Sequence, residues 1–337
     1  MFCATYKGKQ GLMSLSGNWV IPPEYDALKL PTCGMVPVQL DRRWGWVDLL
    51  NRWIVRPCFE EVDNFVDGRI VTQHNQLYGL HDIGGRAVIN SSWPLLWAPI
   101  NGLVYGRRPG PIHVLMDVFG KAVLCSNAFS LNYFGDPGYI IEVRYPVDYI
   151  EEAGVGEFQD IDDEEFHETD PDVRYVRIDG TPAIKEVFRE AWPFCEGLAA
   201  VTREDGTRGY IDHLGTLVVR PSRQNELGMC PAFSESKALL QYRNDLVQCI
   251  NQRGDILWDG RFRTVLNFSE GVAAAQGIDG KWGWIDSGGK HLLEPRFDYC
   301  GSFKMGIAEA VTGGERRFIR PSGVEVWVEP CKPIDWI

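Results

Sequence analysis

The chain has 337 residues, with 46 acidic and 34 basic side chains and a formal net charge of -12. That length can bury a sizeable core, and 45 % hydrophobic against 24 % charged residues is the balance of a globular chain, not of a disordered one. An acidic chain without clustered Lys and Arg is not built to bind nucleic acid or an anionic membrane surface, so neither is expected as a partner.

At the start, Met1-Phe2-Cys3-Ala4-Thr5-Tyr6-Lys7-Gly8 holds no apolar run of signal-peptide length, and no window reaches the roughly 18 apolar residues of a membrane helix. The nine cysteines form an odd set with no pair at CxxC spacing. That pattern suits reduced thiols in a cytoplasmic setting and neither a disulfide frame nor a zinc ribbon.

In chain order the same unit then returns. Lys9-Gln10-Gly11-Leu12-Met13 leads to Val20-Ile21-Pro22-Pro23-Glu24-Tyr25-Asp26. Arg43-Trp44-Gly45-Trp46-Val47-Asp48 leads to Trp53-Ile54-Val55-Arg56-Pro57-Cys58-Phe59-Glu60, then Phe65, Gly68 and Val71. Further copies open at Leu77-Tyr78-Gly79-Leu80-His81-Asp82, Thr207-Arg208-Gly209-Tyr210-Ile211-Asp212 and Lys281-Trp282-Gly283-Trp284-Ile285-Asp286. The last of these continues through Gly288-Gly289-Lys290, Pro295-Arg296-Phe297-Asp298, Phe303, Gly306, Ala308 and Val311. Degenerate copies begin at His113, Tyr175, Val247 and Arg316. Anchored at 11, 45, 79, 115, 175, 209, 247, 283 and 317, nine units advance by 34, 34, 36, 60, 34, 38, 36 and 34 residues. One period therefore runs through the chain, with a single insertion between the fourth and fifth units.

Within a unit the polarity alternates with period two, and Gly-rich stretches between the runs read as tight turns. About three short strands per unit are expected, and the fold class is all-β: tandem repeats in a propeller-like or open superhelical array of short antiparallel sheets. Residues 1–147 and 173–337 are expected to form one continuous array interrupted by an acidic insertion loop at 148–172. The segment Phe2 to Tyr6 matches the last strand of a repeat and is expected to complete the final unit.

The Lys-Trp-Gly-Trp-Ile-Asp unit, with its downstream Pro-x-Phe-Asp and Phe-x-x-Gly-x-Ala-x-Val, resembles the WG-repeat (KWG-repeat) family of bacterial proteins. The resemblance covers nearly the whole chain except the insertion. It implies a tandem β-repeat and brings no common activity, cofactor or catalytic residue with it.

The repeated residues have structural readings of their own. The tryptophans are plates that bury area against the next unit, and the glycine between them lets backbone approach closely. Asp48, Asp82, Asp117, Asp179, Asp212 and Asp286 stand before turns, where a carboxylate accepts from the N–H two residues on. Pro22, Pro57, Pro221 and Pro295 are expected to end strands. Six scattered histidines, no metal-ligand spacing, no phosphate loop and no nucleophile elbow leave no catalytic residue and no cofactor to nominate. Asp160, Asp162 and Glu164 start like a calcium loop, but Glu165 stands where Gly is needed and Pro171 where Glu is needed.

From Asp148 to Asp172 there are twelve acidic residues and no Lys or Arg. The rest of the chain has 46 minus 12, or 34, acids against 34 bases, so this segment carries the whole formal net charge. Tyr149, Ile150, Phe158, Ile161 and Phe166 are interleaved with the acids. A solvated loop needs no aromatics, whereas a docking loop uses charge to steer and apolar anchors to hold. The expected partner-binding residues are Glu157, Phe158, Asp160, Asp162, Asp163, Glu164, Glu165 and Phe166, facing a protein with a basic surface. The expected function is non-enzymatic protein binding, in its narrowest form a bacterial immunity protein or inhibitor that neutralises a toxin. The alternative is a hydrolase or lyase with carboxylates at a propeller mouth.

Overall fold

The computed structural model describes residues 1–108, 112–126, 130–132, 136, 138–144, 172–223 and 227–330. Among them every regular element is a strand, and the strands make nine small antiparallel sheets in chain order, an all-β fold of the propeller type. Seven sheets have four strands. In the second sheet these are Ala27–Leu28, Met35–Leu40, Arg43–Asp48 and Trp53–Phe59. The extra strand, beyond the three expected, is the two-residue first one, too short to leave a period in the sequence. Strands pair in chain order, so each sheet is a meander.

The sequence unit and the sheet are out of phase. Arg43–Asp48 and Trp53–Phe59 close the second sheet, whereas Glu61–Val62 and Arg69–His74, later in the same unit, open the third. Each complete sheet is thus built from two sequence units.

The chain divides into two compact units, residues 1–59 with 221–337, and residues 60–220. In the first unit, Leu12 and Ile21 of the first sheet pack with Leu28, Val36 and Val47 of the second. Val272, Ala274 and Trp284 of the eighth sheet pack with Phe303, Ala308 and Ile319 of the ninth. Phe2, Ala4 and Met13 meet Ile307 and Phe318, with Phe2 stacked on Phe318 at 4.4 Å. The first and last sheets are therefore neighbours. Even so, Phe2–Tyr6 does not complete the last sheet: it pairs with Lys9–Met13 in a sheet of its own, and the last sheet has its own four strands. In the second unit the same alternation of apolar layers joins the third to the fourth sheet, the fourth to the fifth, and the fifth to the sixth.

One turn repeats in all nine sheets, between the third and fourth strands of the pattern. Residues Ser14, Asp48, Asp82, Asp117, Arg177, Asp212, Asn251, Asp286 and Arg320 each donate their N–H to the carbonyl four residues on and accept from the N–H three residues on. These openers advance by 34, 34, 35, 60, 35, 39, 35 and 34 residues. Counting back two from each gives Leu12, Trp46, Leu80, Leu115, Tyr175, Tyr210, Cys249, Trp284 and Phe318, every one of them buried. Leu115 and Tyr175 thus occupy the second-Trp position and not the glycine position at which the sequence reading anchored them. Val247 is likewise displaced: Gln248 holds the glycine position of its sheet.

Trp46 and Trp284 are wholly buried, while Trp44 and Trp282 are half-buried. Trp284 donates its indole N–H to the Gly301 carbonyl at 3.0 Å across the seam and meets Phe297 and Phe303 at 5.4 and 5.3 Å. The repeat glycine has a steric cause. In the second sheet the pairing jumps from Trp44 opposite Phe59 to Trp46 opposite Val55, so the edge strand bulges over Gly45. A Cβ on Gly45 would lie 2.4 Å from the Val55 carbonyl oxygen, and one on Gly283 would lie 2.5 Å from that of Leu293. Pro22, Pro57 and Pro295 sit inside these edge strands and do not end them. An edge strand tolerates a missing donor, above all at a bulge. Pro221 alone follows its strand, Leu217–Val219.

Candidate protein-interaction surface

The fifth sheet carries the acidic segment. Its strands are Ser130–Asn132, Ile140–Arg144 and Asp172–Val176, and the last two pair from Ile140 opposite Val176 to Arg144 opposite Asp172. The segment therefore leaves and re-enters at paired residues. It replaces the hairpin turn between the second and third strands of one sheet. Glu157, Phe158, Asp160, Asp162, Asp163, Glu164, Glu165 and Phe166 all lie outside the described residues. Asp172 lies inside them, with an exposed ion pair to Arg174 at 2.7 Å.

The base of this hairpin is firmly packed. Ile141, Val173 and Tyr175 are buried with Phe188, whose backbone pairs with Val173, and with Phe194 and Val201 beyond it. The Tyr175 hydroxyl donates to the Trp192 carbonyl at 2.6 Å, and burial pushes its phenol pKa far up. The Ser126 hydroxyl donates to the buried carboxylate of Glu142 at 2.8 Å.

A second feature of residues 60–220 escaped the sequence reading. The repeated turns stand at the opposite end of each sheet from the second-to-third hairpin, because strands in a meander alternate direction. At their tips Phe119 is 72 % and Leu214 86 % exposed, with Ile83 and Ile178 also exposed at in-phase turn positions. Apolar residues one or two places after each turn opener were the available signal. Arg69 packs its guanidinium 5.8 Å from the Phe119 ring and donates to the Val118 carbonyl at 3.2 Å.

The repeated carboxylates are committed to the turns. Oδ1 of Asp48 accepts from the N–H groups of Leu50 and Arg52, both at 2.9 Å, and the Arg52 backbone bond heads the causes that hold its pKa low. Asp117, Asp212 and Asp286 each accept from the same two positions, Asn251 does so with its amide oxygen, and Asp82 accepts from Arg86. Asp179 also accepts from the N–H two residues on, Thr181, but Arg177 opens that turn.

Several other titratable groups are packed into the sheets or against aromatic rings. Burial lowers the pKa of His81, which bonds Thr72 at 3.0 Å, and that of His113, which bonds Tyr105. His213 stacks on Tyr139 at 4.6 Å with its Nε2 3.5 Å from Asp136. Cys195 has its thiol pKa raised by burial first and then by the Asp136 and Glu196 charges, which disfavours the thiolate a nucleophile needs. Among the described residues no group of three or more His, Cys, Asp or Glu could hold a metal ion, and no helix is long and apolar enough to cross a membrane.

The model of the WG-containing repeat family matches residues 11–43, 44–78, 249–282 and 282–315. Those four stretches are WG-containing repeats. Each match begins near the third strand of one sheet and runs into the next, as the phase offset requires. No curated protein matches this chain. Among solved structures, the crystal structure of the eukaryotic initiation factor aligns with a TM-score of 0.65 at 12 % identity, over 98 % of this chain and 95 % of that one. The computationally designed Ika8 protein aligns at 0.46 and 15 % identity over 90 % and 95 %, and BamB from Moraxella catarrhalis at 0.41 and 11 % over 96 % and 92 %. The first likeness is one of fold alone.

Proposed function

We propose that this chain is a non-enzymatic, cytoplasmic protein-binding platform that engages a basic partner surface through the segment 148–172. The observation that carries this reading is the confinement of twelve acids, no bases and interleaved aromatics to one hairpin whose ends, Arg144 and Asp172, are paired. The paired ends Arg144 and Asp172 close their sheet without the residues between them, which supports reading the composition of the segment as an answer to a partner. In the narrowest form the partner is a toxin acting on nucleic acid or a nucleotide, and the carboxylates stand where phosphates would lie.

Charge and anchors act on different rates. Replacing Asp160, Asp162, Asp163, Glu164 and Glu165 by their amides slows association and flattens its salt dependence, since steering is screened over about 8 Å at physiological ionic strength. Replacing Phe158 and Phe166 by Ala speeds dissociation instead. Surface plasmon resonance against the captured partner reads both. Association rates unchanged by the amides at low salt would refute the steering role.

A further inference from the structure

Within the unit formed by residues 1–59 and 221–337, two seams between sheets are closed by the same pair of positions. One is the residue twelve after a turn opener, just before the first strand of the next sheet; the other is the residue five before that opener. Between the first and second sheets these are Asp26 and Lys9, which pair at 2.6 Å. Between the eighth and ninth they are Asp298 and Lys281, at 2.7 Å. Each carboxylate also accepts a backbone N–H from the hairpin between the second and third strands of its own sheet, Asp26 from Asp41 at 2.8 Å and Asp298 from Gly313 at 3.0 Å. A lysine and an N–H thus close on an anion at both seams, and the lysine bond heads the causes that hold each carboxylate below its usual pKa.

The seam between the seventh and eighth sheets departs from this pattern. Its corresponding residues are Arg263 and Leu246, so a guanidinium stands in the carboxylate position and an apolar side chain in the lysine position. A second guanidinium comes from Arg243, in the hairpin between Lys237–Tyr242 and Leu246–Asn251. Phe262 donates its N–H to the Asp245 carbonyl at 2.9 Å, which fixes the hairpin that bears Arg243 against the link that bears Arg263. A cavity of about 300 Å³ opens there, lined by Tyr242, Arg243, Leu246, Val247, Phe262 and Arg263 among others, and none of its lining residues is acidic. Tyr242, Val247 and Phe262 are buried, whereas both arginines are exposed. Neither arginine side chain has a hydrogen bond, an ion pair or a ring contact among the described residues.

We propose that this seam binds a small organic anion. Its carboxylate or phosphate group sits between Arg243 and Arg263, in the place that the carboxylates of Asp26 and Asp298 hold at the other two seams. Its apolar body lies on Leu246, Val247 and Phe262. Two like charges on one cavity repel, and an anion between them relieves both. The planar guanidinium fork matches a carboxylate or a phosphate with paired hydrogen bonds, which a lysine at either position would not offer. A volume of about 300 Å³ is at the lower end for small-molecule sites, which leaves room for a single ring and its acidic group.

Benzoate and phenyl phosphate are the probes, titrated into the full chain while the arginine side-chain N–H signals are followed by NMR. Saturable shifts of Arg243 and Arg263 are expected, with acetate and inorganic phosphate at least about tenfold weaker because they lack the apolar body. Arg263→Gln weakens benzoate binding by at least about tenfold, the loss that goes with one charge-assisted contact. Arg253→Gln, at an exposed arginine in the turn of the same sheet, leaves it unchanged. Leu246→Lys with Arg263→Asp rebuilds the pair found at the other seams and abolishes binding while the urea midpoint holds; should that double variant fail to fold, the exposed single change decides. An absence of saturable shifts, or an equal loss from Arg253→Gln and Arg263→Gln, would overturn the proposal. So would acetate binding as tightly as benzoate, which would leave only the general attraction of arginine for anions.

Discussion

The second and seventh sheets have the same order of four strands and the same turn, yet differ at the repeat glycine. The second has Gly45 three residues before its turn opener and an edge strand that bulges over it. The seventh has Gln248 there, and its edge strand runs straight past it, with Gln248 opposite Asp259 and Cys249 opposite Trp258, and shifts register only after Cys249. The rule extends to other sheets. Gly11, Gly79 and Gly283 face bulges, whereas Val114 and Arg317 sit opposite Cys125 and Val328 where the ladder is still in step, ahead of shifts after Leu115 and Phe318. The glycine of the repeat is therefore room for an edge-strand bulge and not a hinge, and a unit that loses the bulge can lose the glycine.

The largest effect expected is at the seam shared by both kinds of sheet. Trp284→Ala should cost about 3 to 5 kcal/mol in urea unfolding, because it opens a cavity between two sheets and strands the Gly301 carbonyl. Trp282→Ala, half-buried, should cost much less. Equal costs would break the assignment of one plate to the core.

The comparison itself is tested by adding one methyl group. Gly283→Ala is expected to cost roughly 2 to 3 kcal/mol, since its Cβ would press on the Leu293 carbonyl oxygen at 2.5 Å. Arg317→Ala, at the same position under a straight edge strand, should cost under about 1 kcal/mol even with its exposed ion pairs to Glu315 and Glu325 removed. Near-equal losses would dissolve the distinction between bulged and straight sheets.

A smaller change separates the turn from the bulge. Asp286→Ala removes the acceptor for two backbone N–H groups and should cost about 1 kcal/mol. Asp286→Asn should be nearly neutral, because the seventh sheet already closes its turn with Asn251.

The smallest expected effect is a pH dependence within residues 60–220. His81 and His113 have folded pKa values below the ordinary 6.5, so the unfolded chain binds their protons more readily. Their contribution to stability is complete above that value and is lost as pH falls below it. The urea midpoint should drop between about pH 7.5 and 5.5, and a rise would contradict the burial of these rings.

The period, the all-β class, the burial of tryptophan plates and the turn carboxylates were legible because alternation, Gly and Asp-x-x-Gly leave marks that survive substitution, whereas which tryptophan of each pair is buried was not. The two-residue strands were not, since two residues show no period. The anchors slipped at Leu115, Tyr175 and Val247 because, once the glycine is gone, an apolar residue one place away matches as well. The prolines misled because an edge-strand bulge accepts what a central strand refuses. The acidic segment was visible as an insertion, but a step of 60 residues does not say which hairpin was lengthened. Only the pairing of Arg144 with Asp172 places it.

That pairing supplies the most direct measurement. Residues 145–171 can be replaced by Asn-Gly, which closes a two-residue hairpin, and the shortened and intact chains used side by side to capture proteins from native cell extract. The shortened chain is expected to unfold at the same urea concentration and to lose the basic partner. An identical set of captured proteins would contradict a binding role for the segment and leave it as a solvated loop.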